Sequence, residues 1–156
     1  LLATAVERVR IRPAMDSGAV DHVIHPRELP DDACIVPNTS GKHFRGANDS
    51  VIEKYGTCDT VLEGKAGKVG CTHQLANVSR PLHSVSKTCD GGHEMLYTSN
   101  WALVLPKGVL RTLLATLNAK PVARYVRRGG LYVAKMKARD KASGGGSGFP
   151  RPGASR

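Results

Sequence analysis

A chain of 156 residues with 40% hydrophobic composition is long enough for one compact domain and too short for two sizeable cores. Aromatics make up only 4% while Gly and Pro number 17 and 9, which favours a small, turn-rich β fold over a packed helical core. Charge is split along the chain: residues 1–106 carry eleven Lys/Arg against twelve Asp/Glu, and residues 107–156 carry twelve against one, so the high pI belongs to the C-terminal third. No apolar run approaches the length of a membrane span, and Leu1 to Val6 is too short and lacks the basic start of a signal peptide, so an intracellular protein with no membrane partner is expected. Cys34, Cys58, Cys71 and Cys89 include no Cys-x-x-Cys pair and read as reduced, mostly buried thiols.

Along the chain, Val6 to Arg12 alternates, Val9 and Ile11 against Arg8, Arg10 and Arg12, the period of a half-buried strand leading to Asp16. Pro26 and Pro30 mark an exposed connection, Cys34-Ile35-Val36 a short strand, and the polar run from Asn38 to Ser50 a hairpin tip. Val51 to Leu62 and Val69 to Val78 read as two longer strands, the second placing Val69, Cys71, His73 and Leu75 on one side. A helix is expected from Ser79 as cap through Leu82, Val85 and Cys89, ended by Gly91-Gly92. Glu94 to Thr98 and Trp101 to Leu105 suggest a hairpin, with Tyr97 and Trp101 as core residues. Leu110, Leu113, Leu114 and Leu117 form the clearest amphipathic helix, and Val122 to Arg128 and Leu131 to Met136 are strands around Gly129-Gly130. Residues 1–137 thus form the domain, and 138–156 a basic, Gly/Ser/Pro-rich tail expected to be disordered.

The chemistry centres on Asp16-Ser17-Gly18-Ala19. An aspartic peptidase needs two carboxylates sharing one proton around a water, one acting as general base while the other polarises the scissile carbonyl. Asp-Ser-Gly offers the carboxylate, a hydroxyl able to bond across the pair, and a glycine that lets the loop turn back under the site. Other patterns carry less. His22-x-x-His25 lacks an evident third ligand, and Cys71-x-His73 with Cys58 or Cys89 reads as a buried thiol beside an imidazole, so no metal is expected. Gly64-Lys65-Ala66-Gly67-Lys68-Val69 lacks the first glycine and the Ser/Thr of a phosphate loop.

The segments MDSGAVDHVI (15–24), RGANDSVIEKYG (45–56), LANVSRPLHSVSKTCDGG (75–92) and RRGGLYVAKM (127–136) together resemble the retropepsin-like aspartic peptidase domain of copia-like retroelement polyproteins. The resemblance spans roughly residues 6–137. It implies a mainly β, closed-barrel (double-psi) peptidase half with a flap hairpin and one or two short helices, pairing as a homodimer to complete the dyad. Asp16 is then the catalytic carboxylate, Ser17, Gly18 and Ala19 its loop, and Gly46, Ala47, Asn48, Asp49 and Ser50 the flap over a peptide or polyprotein substrate, with no cofactor. The rival expectation is a catalytically decayed retroelement module whose Arg124, Arg127, Arg128, Lys135, Lys137, Arg139 and Lys141 bind nucleic acid.

Overall fold

The structure is a computed structural model that describes residues 8–65 and 67–137; the tail expected at 138–156, with Arg139 and Lys141, lies outside the described residues. It is mainly β. The elements are β1 (Ala14–Asp16), β2 (Val23–Ile24), β3 (Val36–Pro37), β4 (Phe44–Arg45), β5 (Val51–Ile52), β6 (Lys54–Gly64), β7 (Gly67–Ala76), β8 (Leu82–Ser84), α1 (Val85–Asp90), β9 (His93–Tyr97), β10 (Ala102–Pro106), α2 (Val109–Thr116), β11 (Val126–Arg128) and β12 (Leu131–Val133). No helix among the described residues is long and apolar enough to cross a membrane.

Six strands form one sheet in the order β1-β8-β2-β7-β6-β3. The long β6–β7 hairpin is its spine, and β2 joins β7 in parallel with Ile24 opposite Leu75. β8 lies antiparallel to β2 and parallel to β1. With β1 and β3 at its edges the sheet is open, and not the closed barrel the resemblance implies; strands of two or three residues supply too little ladder to curl it shut.

The core is small: Ile24, Leu29, Cys58 and Leu75 pack together, with Ile11, Ala33 and Tyr55 against them. The strand expected over residues 6–12 is absent from its described part, residues 8–12. Ile11 turns inward but Val9, expected on the same face, is exposed; Pro13 offers no N–H for a ladder and pairing starts only at Ala14. Of the cysteines only Cys58 is buried; Cys71 and Cys89 are half-buried and Cys34 is exposed, against the expectation of mostly buried thiols.

A register shift between Lys54 and Gly56 lets β3 close onto β6. A Cβ on Gly56 would lie 2.2 Å from the Val36 carbonyl oxygen, a backbone atom with no room to withdraw. Gly56→Ala is therefore expected to destabilise the domain by at least about 1–3 kcal/mol, the range for forced overpacking, measured by urea denaturation.

The helix expected from Ser79 begins later. Leu82–Ser84 is drawn into the sheet by β1 and β2, and Ser84, not Ser79, caps α1, its Oγ accepting the Lys87 N–H at 3.3 Å. The β9–β10 hairpin forms where the sequence places it, but Tyr97 and Trp101 are exposed, not core. α2 also forms as read, its Leu110 N–H held by the Glu94 carboxylate at 2.9 Å, yet Leu113, Leu114 and Leu117 remain exposed. β11 and β12 pair around Gly129-Gly130 and are tied to α1 by a bidentate Arg127–Asp90 ion pair at 2.5 and 3.0 Å.

Candidate functional site

Asp16 closes β1, opposite Ser84 in the parallel pairing with β8. Its Oδ1 accepts the Gly18 N–H at 2.7 Å, which folds the loop back on itself; a side chain at 18 would press its Cβ to 3.3 Å from that same oxygen. The far side of the loop is fastened by Ser84. Its Oγ donates to the Ala19 carbonyl at 2.6 Å and its N–H to His22 Nδ1 at 3.2 Å, while Ser86 Oγ stands 2.9 Å away. Ser84 and Ser86 are buried, so these hydroxyls act inside the fold, where an unpaired polar group would be costly. The C-terminal hairpin also reaches this loop: a Cβ on Gly130 would meet Val20 Cγ1 at 2.8 Å.

Met15 and Ser17 border a cavity of about 800 Å³ whose wall includes Val85, Tyr97, Tyr125 and Tyr132. Although Tyr97 is half exposed, partial desolvation of its phenol, with Cys89 and Asp16 adding to it, pushes the phenol up from its usual range. Met15 and Ser17, on either side of Asp16, thus line an apolar, tyrosine-rich hollow.

Gly46, Ala47, Asn48, Asp49 and Ser50 make the tip of the two-stranded β4–β5 hairpin. The turn is closed by Gly46 N–H to the Ser50 carbonyl at 2.9 Å and Asp49 N–H to the Gly46 carbonyl at 3.0 Å. Asp49 takes a left-handed backbone (φ 63°), and its carboxylate pairs with Arg45 at 2.9 Å. Arg124, Arg127, Arg128, Lys135 and Lys137 are all exposed, and of these Arg127 also pairs with Asp90 and donates to the Gly129 carbonyl at 2.8 Å.

Next to this loop lies a second cluster that the sequence reading does not assemble. Cys71 and His73 on β7 and His83 on β8 bring their Sγ and ring nitrogens within 4.8 Å of one another. His22 stands alongside, its ring centroid 5.2 Å from that of His83 and 6.2 Å from that of His73. His25 does not join them: it packs on Tyr55 and caps a 3₁₀ turn through Nδ1. Nor do Cys58 or Cys89 complete the Cys71-x-His73 pair. The third member is His83, which the expected helix would have carried on a separate element and which only the β1–β8–β2 pairing brings near β7.

Burial, with His83 and His22 adding repulsion, lowers His73 to about 4, and burial beside His22 lowers His83 to about 4. Burial, with Asp21 and Asp59 adding to it, raises the Cys71 thiol to about 11. Both imidazoles are neutral bases at pH 7. In the unfolded chain they protonate near pH 6.5, so from about pH 6.5 down to about 4 the unfolded state takes up protons that the folded state refuses. Stability in the presence of a chelator is therefore expected to fall steadily across that window, read as a declining urea midpoint; a flat profile would place both rings in solvent.

Comparison with protein-family models, curated proteins and solved structures returns no match to this chain.

Proposed function

We propose that the chain is half of an aspartic endopeptidase, hydrolysing peptide bonds in a homodimer that brings two copies of Asp16 around one water. The observation that carries this reading is the Asp16 loop itself. A carboxylate ends the edge strand β1, its loop is bent back through the Gly18 N–H, and Ser84 at the start of α1 clamps the Ala19 carbonyl. That construction holds a carboxylate in a fixed direction between Met15 and Ser17, which line the cavity, and paired-carboxylate chemistry requires such a fixed carboxylate. Three further features support it: the resemblance of MDSGAVDHVI and RPLHSVSKTCDGG, a β4–β5 hairpin at the sequence position the resemblance gives to the flap, and the presence of a single Asp-Ser-Gly in 156 residues. One such loop cannot make a dyad within one chain. The exposed Leu113, Leu114 and Leu117 of α2 and Leu103 and Val104 of β10 are apolar surface that a second copy would cover. The test is incubation of the full chain with a mixed peptide library at mildly acidic pH, with and without a pepstatin-type transition-state mimic. Inhibitable cleavage supports the reading, and intact peptides at dimer-forming concentrations overturn it.

The second reading, a non-catalytic nucleic-acid-binding module, draws on the exposed Arg124, Arg128, Lys135 and Lys137. If these four make the contacts, a duplex-binding isotherm should show a log–log salt slope of about −3.6, at about −0.9 per phosphate. Arg127→Ala should leave that slope unchanged, because its guanidinium is committed to Asp90.

A further inference from the structure

We propose that Cys71, His73 and His83 form a zinc site that staples β7 to β8 next to the Asp16 loop. The ligand set has the right chemistry: one thiolate and two imidazoles suit a d¹⁰ cation, while the absence of a carboxylate among the three disfavours calcium and magnesium. It also has the right spacing. Zn–S near 2.3 Å and Zn–N near 2.0–2.1 Å on a tetrahedron separate sulfur and nitrogen by about 3.6 Å, and Cys71 Sγ stands 3.7 Å from His73 Nε2.

The hydrogen bonds orient His73 for this task. The Thr60 hydroxyl donates to the Cys71 carbonyl at 3.1 Å, so towards His73 Nδ1, at 3.0 Å, it can only accept. Nδ1 therefore carries the ring proton and Nε2 turns its lone pair towards Cys71, the outer-shell arrangement that metal-binding histidines use. His83 supplies an independent sign. Its Nε2 is buried with no hydrogen-bond partner, an orphan that a metal would satisfy, and a small rotation towards Cys71 breaks no existing bond. His22 is a neighbour and not a ligand, because its Nδ1 accepts the Ser84 N–H and its proton then sits on Nε2.

His83 also lines a cavity of about 940 Å³ running along β6 and β7, which gives an ion a way in. The Asp21 and Asp59 carboxylates act on Cys71 and favour a cation there. On binding, zinc takes the place of the thiol proton: the S–H bond breaks, the Zn–S bond forms, and one proton leaves to solvent, with no change of oxidation state. A site of this kind spans two strands whose order in the sheet is β8-β2-β7, so it fastens the strand bearing Ser84, and through Ser84 the Asp16 loop. The inference stands whether or not Asp16 cuts peptides.

The test uses the full chain freed of metal by a chelator and titrated with zinc, and in parallel with cobalt(II) as a spectroscopic stand-in. One equivalent should bind with a rise in melting temperature, and cobalt should produce a thiolate charge-transfer band with tetrahedral d–d absorption. Cys71→Ser should abolish the charge-transfer band and weaken zinc by about 100-fold or more, and Thr60→Val, which frees the His73 tautomer, by about 10–100-fold. Should these variants fail to fold, the wild-type chain still decides: zinc must protect Cys71 from alkylation, mapped by peptide mass, while exposed Cys34 stays reactive. Zinc affinity unchanged in Cys71→Ser and Thr60→Val, or equal alkylation of Cys71 with and without zinc, overturns the site; calcium and magnesium should protect nothing.

Discussion

Asp16→Asn is expected to lower peptide cleavage by at least about 10²–10⁴-fold, the range for loss of a general acid or base, while leaving the melting temperature close to wild type. The amide keeps an oxygen able to accept the Gly18 N–H that Asp16 Oδ1 receives at 2.7 Å, so the loop retains its bend. What it loses is the carboxylate that, in the proposed dyad, shares a proton with its partner. In the proposed homodimer each half-site belongs to a different chain, so the same variant should also poison wild type. With equal amounts mixed and random pairing, activity per wild-type chain should fall to about half, and dilution below the dimer dissociation constant should remove the rest. Two carboxylates held that close share one proton, so activity should rise on the mildly acidic side. Full activity of Asp16→Asn, or of a dilute monomer, would sink the dyad.

Leu75→Ala should be the most damaging core truncation. Leu75 is fully buried near the C-terminal end of β7, faces Ile24 in the parallel pairing with β2, and packs with Leu29 and Cys58 in a cluster of four. The cavity left behind should cost about 2–5 kcal/mol, a large share of the roughly 5–15 kcal/mol that holds a domain together. For a domain of this size that corresponds to a fall of about 10 °C or more in melting temperature, readable by circular dichroism. Leu117→Ala is the control, since Leu117 is 65% exposed and should cost no more than about 0.5 kcal/mol in the isolated chain. A larger, concentration-dependent loss for Leu117→Ala would place α2 in the dimer interface.

Local pattern explains which elements were legible in advance. The alternation around Val69 to Leu75, the turn residues between Tyr97 and Trp101, and the Leu110/113/114/117 spacing each encode one element through a short-range period, and β7, the β9–β10 hairpin and α2 form accordingly. Leu82-His83-Ser84 shows where that logic stops. Its spacing with Val85 and Cys89 suits a helix, but hydrogen bonding to β1 and β2 on either side outweighs a helical turn at its frayed N-terminus, and the chain stays extended until Ser84. The same applies to Val9 to Arg12, where Pro13 and the lack of a partner strand leave a periodic segment unpaired.

By itself, then, the sequence determined the β-rich class, the position of the Asp16-Ser17-Gly18-Ala19 turn, and the hairpin bearing Gly46 to Ser50, because each depends on residues a few positions apart. Only the tertiary structure decided that the sheet is open, that the α2 leucines face outward, that Arg127 serves Asp90, and that His83 meets Cys71 and His73. Those outcomes rest on strand order and on pairs ten to several tens of residues apart. Such contacts form when the entropy of closing the intervening chain is outweighed by burial and ladder hydrogen bonds summed over the whole fold, a balance that no local period records.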